Sequence, residues 1–106
     1  MNEKNKTPQE KKKPVVDENR DIQELEPLPV SGQLEVLRYR TLKKNNVLGW
    51  WSAVVLLIDH GKKQICYYRW RKKGDEWKRD KKLPIRSHKD WLMLKDAVES
   101  FLKEID

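Results

Sequence analysis

One cysteine, four glycines and one phenylalanine are all that the 106 residues hold of these three types. The single Cys66 excludes an intramolecular disulfide and a cysteine-based zinc cluster. Set within an apolar run, it is expected to be an inert buried thiol. The longest apolar run, Val47 to Ile58, is 12 residues long. A helix needs about 20 to span a bilayer, so no membrane association is expected. The opening MNEKNKTPQE has no apolar core of the secretory kind, and an intracellular location is expected: cytoplasm or nucleoid, or nucleus in a eukaryote. There is no glycine-rich phosphate loop. His60 falls in a predicted turn and His88 at a predicted helix start, and no Ser or Cys nucleophile has a plausible base nearby in sequence. Asp75, Glu76 and Asp80 sit among lysines and read as charge-neutralising neighbours rather than metal ligands. No catalytic residue, metal site or cofactor is therefore expected.

What the chain has in quantity is charge. Asp, Glu, Lys and Arg make up 39% of it, and the mean hydropathy is −0.98. The distribution is uneven. Residues 1–31 carry six Lys/Arg and seven Asp/Glu, with four of the five prolines. Residues 32–106 carry 18 and 10, a net charge of +8. The first part reads as a disordered tail and the second as one small domain. The basic excess lies in the folded part, which argues for a charged working face.

That excess concentrates in Lys62–Lys82, KKQICYYRWRKKGDEWKRDKK. Ten Lys/Arg stand there against three Asp/Glu, with Tyr67, Tyr68, Trp70 and Trp77 interleaved. Cations attract phosphate and flat rings stack on bases, so the mixture suits nucleic acid. The candidate contacts are Lys62, Lys63, Tyr67, Arg69, Trp70, Arg71, Lys72, Lys73, Trp77, Lys78, Arg79, Lys81 and Lys82. Trp77, between charges, is the expected exposed stacker.

Periodicity places the elements. Gln33–Leu42 alternates as a strand, with Val36, Arg38 and Arg40 on one face and Leu37, Tyr39 and Thr41 on the other. Lys43–Asn46 reads as a turn, and Trp50–Ile58, apolar on both faces, as a central strand. Trp50 and Trp51 must then point to opposite sides. Asp59-His60-Gly61-Lys62 is a hairpin turn, Gln64–Arg71 the next strand, and Lys72–Asp75 another turn. Glu76–Arg79 and Leu83–Ile85 make a short, interrupted fourth strand, confined to an edge by Pro84. Ser87 is a good N-cap for a helix whose stripe is Trp91, Leu94, Val98, Phe101 and Leu102. The expected class is α+β, a four-stranded antiparallel sheet followed by one helix, because the loops are too short for crossovers. The helix is expected to cover one face and leave the other free; the pattern alone does not say which.

From about Trp51 to Phe101 the chain resembles the single-strand-DNA-binding transcriptional coactivators of the positive-cofactor-four type. The resemblance rests on HGKK at 60–63, then ICYYRWRKKGDEWKRDKK, LPI, and a helix opening DWLMLKDAV. It differs in having Asp59 and His60 where that family has an aromatic, and no glycine between Lys82 and Leu83. The resemblance implies a curved sheet, pairing of two copies through the helices at Trp91, Leu94, Val98 and Phe101, and DNA contacts at Lys62, Trp70, Lys78 and Lys82.

The expected activity is sequence-independent binding of single-stranded DNA, RNA or melted duplex by a homodimer. It would act as a transcriptional coactivator or in genome maintenance, with the transcription machinery as a possible partner. Two other classes fit the composition: an architectural protein binding duplex DNA through phosphates alone, and a basic module docking an acidic protein. The dependence of binding on aromatic residues separates the first from both.

Overall fold

The structure, a computed structural model, describes residues 15–19 and 26–106. Four strands form an open antiparallel meander in the order β1 (Glu35–Asn45), β2 (Trp50–Asp59), β3 (Lys62–Lys73) and β4 (Glu76–Ile85). One helix, α1 (His88–Leu102), follows. The α+β class and the strand order are as the sequence predicts. Among the described residues no helix is long and apolar enough to cross a membrane.

The turns explain the meander. At β1–β2 the Asn45 carboxamide oxygen accepts from the amides of Val47 (3.0 Å) and Leu48 (2.8 Å), and Gly49 takes φ +81° to bring the chain back. The turn thus starts two residues later than Lys43, because a side-chain bond at Asn45 sets it. At β2–β3, His60 and Gly61 both adopt positive φ, which suits a two-residue hairpin. β4 is continuous, where an interruption was expected: Asp80 is an extra residue bulged out between Arg79 and Lys81, and the pairing with β3 resumes on either side. Pro84 lies on this outermost strand, as its missing N–H requires. Ser87 caps α1, its hydroxyl accepting from the Asp90 amide at 3.0 Å.

One face of the sheet, the inner face, holds the core. Tyr39, Trp51, Ala53, Val55, Leu57, Cys66, Tyr68 and Trp70 are buried on it. Tyr68 stacks on Trp70 with ring centres 5.2 Å apart, and Trp51 tilts against Trp70 at 5.3 Å. The Trp51 indole N–H donates to the Thr41 hydroxyl at 3.0 Å, so the buried ring leaves no polar atom unpaired. Burial pushes the Cys66 thiol and the Tyr68 phenol above their ordinary values, consistent with an inert Cys66.

What covers this face corrects two expectations. The helix does not cover it. None of its residues is buried, and α1 meets the sheet only at β4. The cover is instead Leu28 and Val30, from the stretch expected to be a disordered tail, packed on the core together with Leu34 at the start of the domain. Residues 15–19 are also built in: Asp17 is buried and bridges Tyr39, its carboxylate accepts from the Thr41 amide (2.8 Å), and the Asn19 carboxamide donates to the Thr41 carbonyl (2.7 Å). These bonds satisfy outer-edge groups of β1 that would otherwise face water. The rest of the expected tail, 1–14 and 20–25, lies outside the described residues. With the inner face occupied by its own N-terminal part, the chain leaves the helix stripe exposed: Trp91, Leu94, Val98, Phe101 and Leu102 all show substantial surface.

Candidate nucleic-acid interface

The opposite, outer face is a ladder of four cross-strand rows. Nearest the helix runs Ile85–Ile65–Leu56–Arg38, then Leu83–Tyr67–Val54–Arg40. Beyond them lie Lys81–Arg69–Ser52–Lys43 and Lys78–Arg71–Trp50–Asn45. The face therefore grades from apolar beside α1 to cationic and aromatic beside the β1–β2 turn. Trp50 is its central ring. The guanidinium carbons of Arg69 and Arg71 lie 4.8 and 5.0 Å from the Trp50 ring centre, and the ring stays partly exposed. A groove of about 770 Å³ opens beside it, lined by Leu42, Leu48, Trp50, Ser52, Tyr67 and Arg69 among others.

Several of these cations are oriented by carboxylates. Arg69 pairs with Asp80 at 2.7 Å, and its hydrogen bond holds the Asp80 carboxyl below the usual range. Glu18 accepts from Arg38 at 2.6 Å and lies 3.5 Å from Arg40, and the Arg38 bond likewise lowers its carboxyl. Lys78 pairs with Glu76 at 2.9 Å. Such exposed pairs add little stability, but they hold long side chains in place.

The thirteen candidate contacts divide by face. Lys63, Tyr67, Arg69, Arg71, Lys78 and Lys81 project outward, and Lys73 stands at the β3–β4 turn. Lys62, Trp70, Lys72, Trp77, Arg79 and Lys82 belong to the inner side. Trp70, at 1% exposure, is a core ring in this arrangement and offers no face to a base. Trp77 is half-buried, edge-on to Trp51 at 5.5 Å, with Lys72 5.2 Å from its ring centre. Lys82 lies 5.9 Å from the Tyr68 ring centre. Arg38, Arg40, Lys43, Trp50 and Ser52, which complete the outer ladder, come from β1 and β2, outside the basic segment. The alternation of Arg38 and Arg40 was the signal available for two of them.

On the inner side Glu26 ties the N-terminal cover to the sheet. Its carboxylate accepts from the Trp77 indole N–H at 2.6 Å and from Lys44 Nζ at 2.9 Å, and Lys44 lies 3.8 Å from the Trp51 ring centre. Burial raises the Glu26 carboxyl, but the bonds from Lys44 and Trp77 outweigh it and leave it lowered. A depressed folded-state value means that this tie is present above the unfolded carboxyl's ordinary value and is lost as pH falls through the depressed one. Acid titration should therefore shift tryptophan emission, because Trp77 is a donor to this carboxylate. Glu26→Gln, which cannot titrate, should flatten that limb; superimposable curves would rule the tie out as its source.

No family model, curated protein or solved structure matches the chain.

Proposed function

We propose that the chain is a single-strand nucleic-acid-binding protein without catalytic activity, working as a homodimer in transcription or genome maintenance. The observation that carries the reading is Trp50, partly exposed on the outer face with Arg69 and Arg71 over its ring and Tyr67 lining the same groove. Rings stack on any base, and guanidinium groups meet the phosphates, so affinity needs no particular sequence. Only unpaired bases expose their π-faces, which favours single strands over duplex. Nothing in this arrangement reads the 2′-hydroxyl, so RNA is bound as well as DNA.

Pairing of two copies is supported by the uncovered apolar stripe of α1 and by the small size of the core. The exposed large side chains of the helix continue across Ile85, Ile65 and Val54 of the outer face, which border the same hollow as Trp91. A second copy laid on this patch would bury it and leave the cationic rows free. The resemblance to the coactivator family points the same way.

A fluorescence titration with an oligonucleotide and its duplex, at two salt concentrations, tests the reading. Tryptophan quenching by the single strand, tighter binding of it than of duplex, and loss of affinity at higher salt are expected. Equal duplex affinity without quenching would favour an architectural protein. No binding at physiological salt would favour a protein-docking module.

A further inference from the structure

Ser52 is the one side chain of the outer ladder that is both polar and buried, at 8% exposure, and among the described residues its hydroxyl has no hydrogen-bond partner. A buried polar group without a partner is unfavourable, so its presence calls for a reason. Its place supplies one. Register puts Ser52 between Arg69 and Lys43, one row from Trp50 and one from Tyr67, and it lines the groove that these residues share with Leu42 and Leu48. Flat and apolar walls, a cationic rim and one unsatisfied hydroxyl are what an unpaired base needs: ring contact for its faces, cations for its phosphate, and a polar atom for its edge.

We infer that this groove is a subsite for a single unpaired nucleobase, with the Ser52 hydroxyl hydrogen-bonding its edge. The inference rests on the nucleic-acid reading above and deepens it. A hydroxyl both donates and accepts, so it completes the edge of any base and adds affinity without demanding one sequence. The subsite makes the protein count bases as well as phosphates. A strand with its bases removed keeps the electrostatic part of binding and loses this part.

The test uses the full chain, a short oligodeoxythymidine and an abasic strand of equal length at low salt. Ser52→Ala should weaken oligodeoxythymidine binding about five- to ten-fold, the loss of one buried hydrogen bond, and leave abasic binding unchanged. Because the hydroxyl has no partner among the described residues, the substitution should leave the melting temperature equal or higher. Unchanged oligodeoxythymidine affinity in Ser52→Ala, while Trp50→Ala still weakens it, would overturn the subsite and leave the wider reading standing. Equal losses on both strands, or a lower melting temperature, would also overturn it, since Ser52 would then act through the fold. Failure of the unaltered chain to bind either strand would remove the wider reading and the subsite together.

Discussion

Trp70→Ala should unfold the domain. The ring is 1% exposed, stacks on Tyr68 and packs against Trp51, within the one buried apolar cluster among the described residues. Deleting a buried tryptophan ring typically removes about 3–5 kcal/mol. Whole domains hold only about 5–15 kcal/mol, and small ones sit at the low end. Circular dichroism and denaturant titration should show a lost or much lowered transition, with nucleic-acid binding lost in parallel. A folded Trp70→Ala variant of near-normal stability that had lost only single-strand binding would contradict the core assignment. It would mean that the inner face, cleared of Leu28 and Val30, is the one that meets the ligand.

Trp50→Ala should do the reverse, weakening binding while sparing the fold. Trp50 belongs to the outer face and is only partly buried, so its removal opens no cavity in the core. A stacked base contributes about 1–3 kcal/mol, which corresponds to about 5- to 150-fold in affinity. Arg71→Glu should weaken binding through a different term: it reverses an exposed cation and should lower the slope of log affinity against log salt. The two variants therefore separate on a salt series, Trp50→Ala shifting the line and Arg71→Glu tilting it. If Trp50→Ala bound like the unaltered chain while Arg71→Glu did not, the ligand would be held by charge alone, as in the architectural reading.

Much of the fold could be read from residue order because its signals are local. Ser87 caps α1 as expected, Gly61 takes the left-handed position in the β2–β3 turn, and Trp50 and Trp51 divide between faces. Alternation failed where the pairing slips. Leu37 and Leu42 are extra residues in β1, so Val36 joins Tyr39 and Thr41 on the inner side and not Arg38 and Arg40. The cover over the core was not legible at all. Pro27 and Pro29 interrupt any period, and the contacts of Glu26 lie 18 residues away at Lys44 and 51 away at Trp77. This is also why the candidate site was only half visible. The basic segment named β3 and β4, but its alternate residues fall on opposite faces, and the outer ladder is completed by β1 and β2.

The rims of the sheet set a limit on assembly. Along β1 the backbone at Tyr39 and Thr41 is already engaged by residues 17–19, and along β4 the Asp80 bulge, Pro84 and a row of lysines break the line of available donors. Neither border invites a neighbouring strand. A second copy laid on the exposed stripe of α1, as proposed above, would bury that stripe while both borders of the sheet stayed closed, so pairing of that kind would end at two copies and propagate no ribbon.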